Sequence, residues 1–176
     1  VTFSTNSANS SGGAIYAAAD AVMDFEPEVT FSGNTAVNGN GGAFWVADAV
    51  QLPESTIYFE GNSAGNTSTV SNPTAEDWPA EGNGGAIYAE ASSSAIIGST
   101  RDYLFTTKNS AKYHGGAICT YSGDITIDGY TGTRSITVRN EAELGGGFAA
   151  SYSGTITVNN SSIMNQYATK GSGGVI

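Results

Sequence analysis

The side chains that could do chemistry are few. Sixteen residues are Asp or Glu, six are Lys or Arg and one is His, in a chain of 176 with a formal charge of −10. Glycoside hydrolysis needs two carboxylates facing each other across the scissile bond. The acids Asp20, Asp24, Glu26, Glu28, Asp48, Glu54, Glu76, Asp77, Glu81, Asp124 and Asp128 are scattered and share no recurring position. A polysaccharide lyase needs an acidic calcium site with a basic residue beside it to take a proton. Lys108, Lys112, Arg134 and Arg139 fall in the later half, far along the chain from the Asp20, Asp24, Glu26 and Glu28 group. That group reads as a solvated acidic turn.

His114 has no second His or Cys at ligand spacing and reads as a turn histidine. Cys119 is the one cysteine, so no intrachain disulfide can form. A lone thiol of this kind is usually a small buried side chain. Pairs of glycines recur, but no Gly-Lys-Ser/Thr follows any of them, so they are not phosphate loops. The calcium-binding Gly-Gly-x-Gly-x-Asp repeat is also missing. The expectation is no catalytic residue, no metal site and no cofactor.

What the chain does carry is a repeated phrase. It runs Phe3-x-x-Asn6-Ser-Ala, then Gly12-Gly13-Ala-Ile15-Tyr. It returns as Phe31-x-x-Asn34 with Gly41-Gly42-Ala-Phe44, and as Phe59-x-x-Asn62 with Gly84-Gly85-Ala-Ile87. A fourth copy has Phe105, Asn109 and Gly115-Gly116-Ala-Ile118; a fifth has Asn140 and Gly145-Gly146-Gly-Phe148. The sixth is worn, with Ile163, Gln166 and Gly173-Gly174. The second glycines step by 29, 43, 31, 30 and 28 residues. A period of this size signals a solenoid.

Within a period the pattern is that of strands. Val1-x-Phe3, Val29-x-Phe31, Ile57-x-Phe59, Tyr103-x-Phe105 and Ile136-x-Val138 alternate apolar with polar, the period of a half-buried strand. The Asn-Ser/Thr-Ala that follows suits a turn. In stacked copies the Asn would lie over its counterpart, amide on amide, as in stacked β structures. After the glycines, Ile15, Phe44, Ile87, Ile118 and Phe148 share one register and are expected inside. Tyr16, Trp45, Tyr88 and Cys119 share the next and are expected outside. Third strands are expected at Ala21-Val22-Met23, Ala95-Ile96-Ile97, Asp124–Ile127 and Thr155–Val158. Three strands and three turns per period, without room for crossover helices, give an all-β fold: a right-handed parallel β-helix of about five to six coils. One such coil cannot bury its apolar face alone, so stability comes from stacking.

Residues 1–176 form one β-helix segment, with 66–83 as an inserted loop. Solenoids place insertions on one face, often the binding face. Trp78 and Asp77 are the candidate contact residues there, Trp being enriched at contact hot spots. The first and last residues lie within the repeat, without polar caps, which suggests an excerpt of a longer coil or a protomer that meets others end to end. Charged residues make up 12% of the chain, against roughly 25% in an average domain. The acidic balance makes nucleic acid a poor partner, since binding it rests on neutralising phosphates. No stretch approaches 18 apolar residues, so no membrane insertion by this segment is expected. Sequons at Asn9, Asn66, Asn159 and Asn160 are glycosylation candidates only in a secreted eukaryotic chain.

The coupling of Gly-Gly-Ala-Ile with Phe-x-x-Asn resembles the repeat of the chlamydial polymorphic outer membrane proteins. Three copies fit in full (Phe3/Asn6, Phe31/Asn34, Phe59/Asn62). The fourth carries an extra residue, and the fifth and sixth depart at the Phe position. The resemblance implies a β-helical autotransporter passenger, displayed at the cell surface and used in adhesion. It implies an extracellular or cell-surface location and a non-enzymatic structural or adhesive role. Partners would be a protein or glycan surface, or further copies along the solenoid axis. A filament subunit and a carbohydrate-binding or carbohydrate-active β-helix are the other readings.

Overall fold

The computed structural model describes residues 1–18, 28–47, 50–51, 56–65, 81–90, 95–97, 104–121, 124–128, 135–138, 140–142, 145–150, 155–159, 161–169 and 173–176. Among these, every strand pairing is parallel and joins one copy of the repeat to the next. The result is an all-β solenoid whose sides are parallel sheets.

Four sheets run along it among the described residues. The first stacks Thr2–Ser4, Glu28–Ser32, Thr56–Glu60, Leu104–Thr107, Ser135–Val138 and Ser161–Met164. The second stacks Ser7–Ala8, Thr35–Ala36, Ser63–Ala64, Ser110–Ala111, Glu141–Ala142 and Tyr167–Ala168. The third stacks Ile15–Ala17, Phe44–Val46, Ile87–Ala89, Ile118–Thr120 and Phe148–Ala150. The fourth stacks Val50–Gln51, Ala95–Ile97, Ile125–Asp128 and Ile156–Asn159. The expected strand at Ala21-Val22-Met23 lies outside the described residues.

The second sheet departs from the sequence expectation, in which Asn-Ser-Ala is a turn and each period holds three strands. The chain does bend at the Asn, but pairing resumes one residue later. Thr35 donates its N–H to the Asn6 carbonyl at 2.9 Å, and Ser63 and Ser110 do the same to Asn34 and Asn62. The bend is made by the residue before Asn6, Asn34, Asn62, Asn109 and Gln166. Thr5, Gly33, Gly61, Lys108 and Asn165 all have φ between 53° and 64°. A corner that costs one left-handed residue leaves the backbone free to keep its axial hydrogen bonds, so two residues suffice for a strand.

The core follows from alternation. Val29, Phe31, Phe44, Phe59, Ile87, Ile118 and Phe148 are fully buried, and Phe3 and Ile15 are half-buried against them. Phe3 stacks on Phe31 with ring centroids 4.8 Å apart, and Phe31 on Phe59 at 5.1 Å. Phe44, from the third sheet, meets Phe31 and Phe59 edge-on at 4.5 and 5.5 Å. Both geometries suit the ring quadrupole.

The register corrects one position. Phe105 pairs with Tyr58, and it is Thr106 that stands over Phe59. Asn109 keeps its place over Asn62, and counting back three residues from it reaches Thr106, not Phe105. The corner asparagine therefore sets the register, and the aromatic column passes to Thr106, Thr137 and Ile163. Tyr58 is half-buried between buried Ile57 and Phe59, on the outward register of its strand. The outward column of the third sheet also differs in part from expectation. Tyr16 is 61% exposed and Trp45 half-buried, but Tyr88 and Cys119 are buried.

The paired glycines have separate reasons. Gly84 has φ +67°, the left-handed region that side chains resist. Gly85 has no such φ, but a Cβ on it would lie 2.1 Å from the Gly116 carbonyl oxygen and 2.7 Å from the Ser110 backbone. The first glycine turns the chain, and the second lets two copies approach closely.

Candidate functional site

The most extended polar ladder among the described residues is built from the corner asparagines. Asn6 donates from its backbone N–H (3.0 Å) and its side-chain amide (2.8 Å) to Asn34 Oδ1. Asn34 does the same to Asn62, Asn62 to Asn109, and Asn109 to Asn140, with side-chain distances of 2.9 Å. The second amide hydrogen of Asn34, Asn62 and Asn109 goes to the carbonyl of Phe3, Phe31 and Phe59 respectively, at 2.9–3.0 Å. An Asn side chain has two donors and one oxygen with two lone pairs. In these three residues all four are used. The backbone N–H on each Oδ1 also fixes which atom is oxygen, since an amide nitrogen there would leave two donors facing.

The ladder changes at the sixth copy. Gln166 Oε1 accepts from Asn140 N–H and Nδ2 at 3.2 and 3.1 Å. Its longer side chain turns the Nε2 amide back to the Met164 carbonyl of its own copy. Asn34, Asn62, Asn109 and Asn140 are fully buried. Burying an unpaired amide costs several kcal/mol in an apolar medium, so the ladder is stable only when every rung is paired.

A second, shorter ladder runs at the residue before each glycine pair. Asn40 N–H donates to Ser11 Oγ at 3.1 Å. Asn83 donates its N–H (2.9 Å) and Nδ2 (3.1 Å) to Asn40 Oδ1. His114 Nδ1 lies 2.9 Å from Asn83 Oδ1. Because Asn83 Nδ2 is directed at Asn40, its oxygen faces the ring, and His114 Nδ1 must carry the hydrogen. This ladder points from later copies to earlier ones, opposite to the first. His114 is 3% exposed, and burial lowers its pKa from 6.5 to about 4, so the ring is neutral at pH 7.

Ligand spacing alone marks His114 as an isolated turn residue and misses this ladder. A signal does exist in the sequence: Ser11, Asn40, Asn83 and His114 each precede the first glycine of a pair, and each can accept or donate a hydrogen bond. Cys119 is buried, and burial pushes its thiol pKa up, which makes it a poor nucleophile in the folded chain.

The remaining candidates are spread out. Tyr16 and Trp45 stack with ring centroids 4.2 Å apart on the outer face of the third sheet. Lys108 and Glu60 form an exposed ion pair at 3.2 Å, of the kind that contributes about 1 kcal/mol or less. Asn9 is exposed, with its Oδ1 accepting from Asn38 Nδ2 at 3.3 Å, and Asn159 is exposed at the end of its strand. Asn66, Asp77, Trp78 and Asn160, with Asp20, Asp24 and Glu26, lie outside the described residues. Asp124 Oδ1 accepts the Thr155 N–H at 2.7 Å, a corner contact between copies. Among the described residues no three His, Cys, Asp or Glu side chains converge, and no helix is long and apolar enough to cross a membrane.

The ladder positions and glycine pairs of the first three copies coincide with a known family repeat. The profile of the Chlamydia polymorphic membrane protein repeat matches residues 1–18, 28–47 and 56–90. These three stretches carry the polymorphic membrane protein repeat. No curated protein and no solved structure matches it. Each matched stretch includes a corner Asn, and the stacking continues beyond the match. Asn109, Asn140 and Gln166 extend the same ladder through copies in which the Phe position is Thr or Ile. The structural core of the polymorphic membrane protein repeat in this chain is therefore the Asn corner and the glycine pair, with the aromatic column a feature of the earlier copies.

Proposed function

We propose that this chain is a length of rigid, non-enzymatic rod at the cell surface or outside the cell, a right-handed β-solenoid of five to six coils that holds contact surfaces away from the membrane. The observation that carries this reading is the unbroken ladder from Asn6 to Gln166. In it the buried polar side chains are spent on one another, with none of the hydrogen-bonding capacity of Asn34, Asn62 or Asn109 left for a substrate. The repeat family, named for membrane proteins, supports the surface location. A stacked solenoid transmits force along its axis through backbone hydrogen bonds, which suits an adhesive stalk.

The contact partner is a protein or glycan surface, met through Trp78 and Asp77 in the 66–81 stretch; Gly82 and Asn83, counted with the loop in the sequence reading, are held in the coil by their hydrogen bonds to Gly39 and Asn40. No cofactor, nucleic acid or membrane insertion enters this reading. The test is binding of the purified chain to cultured cells and to glycan- and protein-coated surfaces, with Trp78→Ala and Asp77→Ala beside the parent. Saturable binding that the Trp78→Ala variant loses supports the adhesive reading. Filaments seen by electron microscopy without surface binding would replace it with self-association along the axis. Release of reducing or unsaturated sugars from acidic polysaccharides would overturn the non-enzymatic reading.

A further inference from the structure

The corner between the second and third sheets is built three ways in three consecutive copies. In the second copy Val37, Asn38 and Gly39 join Ala36 to the ladder residue Asn40. In the fourth, Lys112 and Tyr113 alone join Ala111 to His114. In the third, Gly65 through Gly82 join Ala64 to Asn83. The hydrogen bonds show which residues correspond. Val37, Gly65 and Lys112 each donate an N–H to the carbonyl of Ala8, Ala36 and Ala64, all at 2.9 Å. Gly82 donates to the Gly39 carbonyl at 3.1 Å, and Tyr113 to the Gly82 carbonyl at 2.9 Å. Gly65 and Gly82 thus hold the positions that Lys112 and Tyr113 hold as direct neighbours.

Both of these residues are fastened to one partner. Gly39 N–H donates to the Gly65 carbonyl at 3.1 Å, while the Gly39 carbonyl accepts from Gly82. Gly39 can sit there only as glycine, since a Cβ would come within 2.6 Å of the Ser10 and Ser11 backbone. In the chain, residues 66–81 lie between these anchors, where the second copy has Asn38 and the fourth has nothing.

We infer that this corner is a permissive display point: Gly65 and Gly82 close the coil on Gly39 by themselves, and the fold does not require residues 66–81. Contact chemistry carried between the anchors can then be exchanged, lengthened or removed while the rod beneath stays the same. The inference goes beyond the proposed adhesive role and does not depend on it, because its readout is folding and not binding.

Two deletions test it in the full chain. One removes 66–81 and joins Gly65 to Gly82, copying the fourth copy. The other removes 67–81 and keeps Asn66, copying the single Asn38. Circular dichroism and thermal melts are the readout. At least one of the two is expected to keep the parent's β signal and to melt at or above the parent's temperature, because a shorter closed loop loses less chain entropy on folding. Loss of the cooperative melt in both, or a fall of more than about 10 °C in both, overturns the inference.

Discussion

Asn62 donates its amide to Asn109 Oδ1 at 2.9 Å although the two residues are 47 apart in the chain, while Asn34, 28 residues earlier, donates to Asn62 at the same distance. The spacing along the chain varies, but the step between rungs does not. The asparagine is therefore what keeps the copies in step.

That role predicts a graded response to a one-atom change. Asn62→Asp removes both donors and sets a carboxylate against the Asn109 oxygen and the Phe31 carbonyl. At neutral pH the variant is expected to lose at least about 3 kcal/mol of unfolding free energy. Asn6→Asp, at an exposed rung, is expected to lose about 1 kcal/mol. Denaturant melts of the two variants check the ratio; equal losses would mean that the buried rung is no different from the exposed one.

The glycines separate conformational strain from close approach. Gly61 has φ +64°, and a Cβ added to it would meet nothing within 4 Å, so Gly61→Ala carries only the left-handed penalty of about 1–2 kcal/mol. Gly85→Ala would drive a Cβ into the Gly116 carbonyl at 2.1 Å. It is expected to separate the two copies and abolish the cooperative melt. Comparable melting temperatures for both variants would contradict the close stacking of the second glycine.

The core columns make a third prediction. Phe31→Ala should cost about 3–5 kcal/mol, since Phe31 is fully buried between two stacked rings and one edge-on ring. Phe31→Asp and Ile87→Asp bury an unpaired charge and should cost at least as much. Thermal melts of the Asp variants that matched the parent would remove Phe31 and Ile87 from the core.

His114 gives the fold an acid sensitivity. Its pKa is near 6.5 unfolded and about 4 folded, so the unfolded chain binds the proton more readily between these values. Stability from this residue is complete above pH 6.5 and falls as the pH drops toward 4, by up to about 3 kcal/mol. His114→Asn keeps a donor toward Asn83 and has no titrating ring. Its melting temperature should fall less than the parent's between pH 7 and pH 4; parallel curves would show that His114 does not titrate on unfolding.

Much of this architecture is legible in the sequence because a solenoid repeats its reasons. The recurrence of Asn and Gly-Gly at a common interval, and the alternation around Phe31 and Ile87, follow directly from what stacking demands of each position. Other features are not legible. The Phe105 position misleads because hydrophobic alternation and the Asn corner disagree there by one residue, and the register follows the buried amides. The second ladder is hidden because Ser11, Asn40, Asn83 and His114 differ in type, and only the geometry shows that each supplies the same hydrogen bond. The burial of Tyr88 and Cys119 on an outward register likewise depends on tertiary cover that alternation does not encode.

The central claim is that each copy lies directly on the next, and a pair of engineered cysteines tests it most directly. In a Cys119→Ala background, Thr35→Cys with Ser63→Cys places two thiols on paired residues of adjacent strands, about 4.8 Å apart between backbones. Thr35→Cys with Ser110→Cys places them two steps apart, about 10 Å, beyond disulfide reach. The stacked arrangement predicts rapid oxidation of the first pair and none of the second. Equal cross-linking of both pairs, or failure of the first, would contradict it.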